Sequence, residues 1–169
     1  MNDLKQYDIV FTGLKLGEHQ FDYQVDETFF NEYLAEKINK ASVDVQLQLD
    51  KRENMLELEI SAQGKMTFPC DRCLDDNEID VAVSKEKIYV KFGEEEQELA
   101  EDLIILRNDD YKINIADTLY ELIMVSLPMK KVHQNSDDCN SEVVEKINIE
   151  EQKNEETDPR WAALNKLKK

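Results

Sequence analysis

Cys70 and Cys73 stand two residues apart in Pro69-Cys70-Asp71-Arg72-Cys73-Leu74, a spacing that lets two thiolates from one turn grip a single soft metal ion. Downstream, His133 and Cys139 could supply the other two donors that a tetrahedral zinc site requires. Their separation is wider than that of an ordinary ligand pair, and they lie where the chain turns polar. A pair of thiols in a turn, with no metal, is therefore the plainer reading. Thiol redox chemistry is a further alternative, but it needs a depressed thiol pKa. Asp71, Asp75, Asp76 and Glu78 surround the motif with negative charge that opposes thiolate formation, and Arg72 offsets only part of it.

No other residues assemble into recognisable chemistry. The four glycines form no phosphate-cradling loop, and the two histidines support no nucleophile triad. His19, beside Glu18, reads as a surface residue. Neither an enzyme activity nor a small-molecule substrate is expected. The basic and aromatic group near the end of the sequence, Trp161 with Arg160, Lys166, Lys168 and Lys169, has the composition either of a docking patch that includes Leu164 or of a capped helix packed on its own core, and Arg72 is a further candidate for partner contact.

These residues need elements to position them. Asp26 precedes Phe29, Phe30, Tyr33, Leu34 and Ile38, so an acidic cap and an amphipathic helix are expected over 27–39. From Val43 the period changes to two: Val45, Leu47 and Leu49 alternate with polar residues, and the alternation resumes at Leu56, Leu58 and Ile60 after Lys51-Arg52-Glu53-Asn54. That is a hairpin with one wet face. Gly64 reads as a bulge before Met66 and Phe68, and further alternation follows at Ile79 to Val83 and Ile88 to Phe92. The Cys-x-x-Cys thus falls in a turn between strands. Glu94 to Glu98 reads as a solvated acidic loop before a short element at Leu103 to Leu106. A strongly apolar helix is expected over 115–127, ended by Pro128.

From Gln134 to Thr157 the sequence offers only Val143, Val144, Ile147 and Ile149 for burial, which suggests a tether. Asp158-Pro159 would then cap a short helix over 158–167. The fold expected is α+β, a mainly antiparallel β-sheet packed by two helices over 1–133, with an acidic flexible tail and terminal helix over 134–169.

The net charge of -17 opposes broad binding to polyanions and favours basic partners. The first residues resemble no secretory signal, no apolar run approaches membrane-spanning length, and three cysteines fit a reducing compartment better than a disulfide framework. The cytoplasm is the expected location, with no membrane contact.

Three features in fixed order resemble the YceD family: Cys70-Asp71-Arg72-Cys73-Leu74 after a strand, a helix ending Ser126-Leu127-Pro128 with a cysteine soon after, and Asp158-Pro159-Arg160 leading to Leu164. The resemblance implies a factor supporting synthesis, processing or stability of 23S ribosomal RNA and large-subunit biogenesis. Its partner would be either a basic ribosomal protein or ribosomal RNA. The chain departs from many relatives in having only Cys139 beyond the Leu-Pro, with His133 as the other available ligand. The rival class is a small zinc-binding or thiol-redox regulatory module built on the same cysteines.

Overall fold

Alternation of apolar and polar residues, the main signal in the sequence, builds a five-stranded sheet in the computed structural model, which describes residues 3–33, 38–93 and 103–153. Its strands are β2 (Gly17–Asp26), β3 (Lys40–Lys51), β4 (Met55–Pro69), β5 (Asp76–Phe92) and β6 (Leu103–Leu106), in spatial order β2-β3-β4-β5-β6. Strands β2 to β4 pair antiparallel, and β6 runs parallel to β5. A second, two-stranded ladder joins β1 (Asp8–Ile9) to β7 (Ile113–Asn114). The α+β class read from the sequence is the class observed.

The chain divides into two compact units, one of Met1–Phe68 with Glu78–Met129 and one of Pro69–Asn77 with Lys130–Lys169. In the first, Val43, Val45, Leu47 and Leu49 of β3 and Leu56, Leu58 and Ile60 of β4 are fully buried on one face. Their polar neighbours take the other face, as a period of two dictates. Helix α1 (Glu27–Asn31) contributes Phe29 and Phe30 to this core, and helix α2 (Ala116–Ser126) contributes Leu119 and Ile123. Aromatic contacts tie the elements together: the Tyr7 ring meets Phe29 edge-on at 5.0 Å, and Tyr33 stacks on Tyr120 at 4.2 Å.

The Asp26 cap forms as expected, its carboxylate accepting the Thr28 amide at 3.0 Å. The helix it starts is shorter than 27–39. Residues 34–37 lie outside the described set, and the Asn39 amide is already engaged with the Thr67 carbonyl at 2.8 Å, which commits that end to the β3–β4 ladder. Helix α2 ends where the sequence indicated, with Leu127 extended ahead of Pro128.

Gly64 is not a bulge. The β3–β4 register runs unbroken through the Val43↔Gly64 pair. A Cβ there would collide with the Ser42 carbonyl oxygen and stand 2.6 Å from Val43 Cα, so the glycine serves a close backbone approach. The irregularity lies instead at Lys85, whose φ of 44° falls in the left-handed region. Across it the buried residues change parity, from Val81 and Val83 to Ile88 and Val90, as one inserted residue requires.

In the second unit, helix α3 (Ser141–Lys153) stands where the sequence suggested a tether. Asn140 caps it, its side chain accepting the Glu142 amide at 3.1 Å. Val143 and Val144 pack, with Val132, on the three cysteines. Few apolar residues suffice because they cover a small sulfur cluster. The expected terminal helix over 158–167, with Arg160, Trp161 and Leu164, lies outside the described residues. No helix among the described residues is long and apolar enough to cross a membrane.

Candidate metal centre

Strand β4 delivers Cys70 at its end, and the chain then reverses tightly before β5. The Leu74 amide donates to the Cys70 carbonyl at 2.9 Å and the Cys70 amide to the Asp75 carbonyl at 2.8 Å. Leu74 takes a left-handed φ of 67° to complete the turn. Asp71 joins this turn to the incoming segment from Lys130. Its amide donates to the Lys131 carbonyl at 2.9 Å, and its carboxylate accepts the Lys131 amide at 2.6 Å. That reciprocal pair sets His133 beside the cysteines. A single 3-10 turn, Ser136–Asp138, takes up the extra residues between His133 and Cys139, which is why the wide spacing is no obstacle.

The four donor atoms of Cys70, Cys73, His133 and Cys139 all lie within 4.8 Å of one another. His133 Nδ1 is 3.6 Å from Cys73 Sγ and 3.5 Å from Cys139 Sγ. Zinc bonds of about 2.3 Å to sulfur and about 2.0 Å to nitrogen imply tetrahedral edges of about 3.5 Å between sulfur and nitrogen. The observed spacings fit. His133 Nε2 lies 3.2 Å from the Asp76 carbonyl oxygen. The proton therefore belongs on Nε2, which donates, and the Nδ1 lone pair faces the sulfurs.

The electrostatics favour a cation. Burial alone would push the Cys70 thiol up, but the backbone N–H groups of Cys73, Arg72 and His133 at its sulfur outweigh it and bring the pKa down to about 6. Oriented amides at the sulfur thus outweigh burial, a contribution invisible in residue types. Burial pushes the Cys139 thiol up, Arg72 offsets part of this, and the Cys73 and Cys70 sulfurs add to the rise. Three thiolates cannot crowd together without compensation. A divalent ion would leave the group at a net charge of about -1, and Arg72, whose guanidinium donates to Cys139 Sγ at 3.5 Å, stands ready to balance it. Arg72, read from sequence as a partner contact, is turned onto this cluster.

Together the four residues that the sequence offered as ligands form one centre that could hold a metal ion. Residues 58–168 match the family described as large ribosomal RNA subunit accumulation protein YceD. The chain belongs to the YceD family. All four candidate ligands fall inside the matched stretch, as does α3, whereas β2 and β3 precede it. Neither the curated proteins nor the solved structures gave a match to this YceD chain. The sequence reading missed the positioning groups: the Asp76 carbonyl, the Asp71–Lys131 pair and the Asn140 cap. Of these only Asn140, directly ahead of a helical stretch, carried a readable signal.

Proposed function

We propose that this YceD-family chain is a non-catalytic cytoplasmic factor that supports accumulation of 23S ribosomal RNA by engaging a basic protein of the large subunit, and that a zinc ion held by Cys70, Cys73, His133 and Cys139 orders its second unit. The observation that carries the reading is the convergence of these four donors inside the stretch that matches the family. Zinc suits three thiolates and an imidazole, and with all four positions filled by protein it would act as a structural clamp rather than a Lewis acid open to substrate.

Each residue has its part. Cys70 and Cys73 hold the turn after β4, His133 anchors the segment zipped to Asp71, and Cys139 fixes the start of α3. A thiol-redox role is less well supported, because Cys70 and Cys73 are 0% and 3% exposed and an attacking disulfide could not reach them. The acidic surface selects the partner: a net charge of -17 attracts a basic ribosomal protein and opposes naked RNA.

Two measurements on the native chain test this. Metal analysis after purification without chelator should give one zinc per chain, and affinity capture from extract should enrich large-subunit proteins over deproteinised ribosomal RNA. Zinc-free, folded protein would remove the clamp, and capture of RNA alone would remove the basic-protein partner.

A further inference from the structure

Strand β2 is one edge of the five-stranded sheet. It pairs with β3 over its whole length, from Gly17↔Lys51 to Asp26↔Ser42, without a break in register. An antiparallel ladder uses only alternate backbone groups of each strand, so half of the N–H and C=O groups of an edge point away from the sheet. Among the described residues, no backbone group from Glu18 to Val25 bonds outside that ladder. Natural edges of this length are usually guarded by charged side chains, above all lysine, by proline or by a bulge, and the only charges on β2 are the carboxylates of Glu18, Asp22 and Asp26, which deter an acidic or like-charged strand but not a basic one. The sequence Gly-Glu-His-Gln-Phe-Asp-Tyr-Gln-Val-Asp has no proline or lysine, and its pairing with β3 has no bulge.

The two faces beside this edge differ in chemistry. On the core side, Phe21 and Tyr23 pack against the apolar cluster yet stay half-buried. On the open side, Glu18, Gln20, Asp22 and Gln24 lie opposite Asp50, Gln48, Gln46 and Asp44 of β3. Asp50 is engaged by Arg52 at 2.9 Å, whereas Glu18, Asp22 and Asp44 have no basic partner among the described residues.

We infer that the free edge of β2 receives, as a sixth strand, an extended segment of a basic partner protein in which lysines or arginines alternate with apolar residues. Backbone bonding would supply affinity. The alternation supplies selectivity, since apolar side chains would cover Phe21 and Tyr23 while the basic ones face Glu18, Asp22 and Asp44. A second copy of this chain is a poor occupant: antiparallel β2 edges centred on Asp22 would set Asp22 against Asp22 and Glu18 against Asp26, and in any register each chain carries a net charge of -17. The inference rests on the reading that the partner is a basic protein, and it names where and how that protein binds.

The test uses the full chain and a synthetic decapeptide alternating lysine and valine. Hydrogen exchange should slow at alternate amides between Glu18 and Val25 when the peptide is added. Affinity should fall about tenfold in an E18K/D22K double variant, whose altered side chains are exposed. N-methylation of alternate peptide amides on one side should abolish binding, and on the other side leave it intact. Protection mapping elsewhere, or E18K/D22K binding as tightly as wild type, overturns the proposal. So does a β2 edge already protected in the free chain, whether by its own residues or, with concentration dependence, by a second copy. If wild type and E18K/D22K capture the same large-subunit proteins from extract, the functional reading stands and the edge fails. If the peptide orders on β2 and no large-subunit protein is captured, the edge stands and the functional reading fails.

Discussion

With zinc bound as proposed, removing it from the Cys70, Cys73, His133 and Cys139 centre, or replacing Cys139 with serine, should unfold α3 while the sheet unit keeps its structure. The magnitudes follow from what surrounds the site. Among the described residues, the apolar support of the second unit apart from the cysteines is Val132, Val143 and Val144, all half-buried. At about 1.5–3 kcal/mol for a fully buried aliphatic side chain, these three give about 2–4 kcal/mol together. A helix of 13 residues is marginal alone in water. Zinc binding in small metal-folded domains is worth about 10–16 kcal/mol, so a zinc ion bound as proposed would be the larger part of what orders α3. Helix α3 has 13 residues against 11 in α2 and 5 in α1, so its loss removes nearly half of the described α-helix. Far-UV circular dichroism before and after chelation, with zinc measured in parallel, reads this directly. The sheet unit has its own core, from Tyr7 and Phe30 to Leu119, and its thermal transition should move little. An unchanged helical signal in metal-free protein, or loss of both transitions together, would refute the reasoning.

Three further outcomes follow. Gly64→Ala should destabilise the sheet unit by about 1–3 kcal/mol in denaturant melts, because the added methyl meets the β3 backbone; an unchanged midpoint would show that the strands can part cheaply. Asp26→Ala should cost about 1 kcal/mol as a lost cap. The hydrogen bond from the Thr28 side chain holds the Asp26 carboxyl below its ordinary 3.8, so that contribution is present above 3.8 and is lost as pH falls through the folded-state value; a cost independent of acid pH would contradict the assignment. Binding to random RNA should be weak at physiological salt in a filter assay, and tight sequence-independent retention would show that local contacts override the net charge.

The parts of the fold that local pattern determines were legible in the sequence. The β3–β4 hairpin followed from alternation, the Asp26 cap from residue type, and the end of α2 from Pro128. The departures arise where a distant partner decides. At Asn39, the far end of the helix expected over 27–39, the backbone is instead bonded to Thr67 across the sheet. Helix α3 is stabilised by burial on sulfur brought from the β4–β5 turn, which no window of polar sequence around Val143 reveals. Lys85 in a left-handed conformation has no residue-type signal, whereas Gly64 has one that suggested the wrong device. At the centre, Cys70 and Cys73 could be named from spacing, and His133 and Cys139 only as the soft donors available downstream. Their convergence depends on the Asp71–Lys131 pair and the turn before Cys139, and the lowered Cys70 thiol on amide directions.

The most direct measurement is the ratio of large-subunit to small-subunit ribosomal RNA in cells lacking this gene, complemented with wild type or with a Cys70→Ser/Cys73→Ser variant. Deletion should lower the ratio, wild type should restore it, and a variant that keeps its sheet unit folded but binds no zinc should fail to restore it. A ratio unchanged by deletion across growth conditions would contradict the role in ribosomal RNA accumulation, and full restoration by the zinc-free variant would contradict the part given to the metal centre.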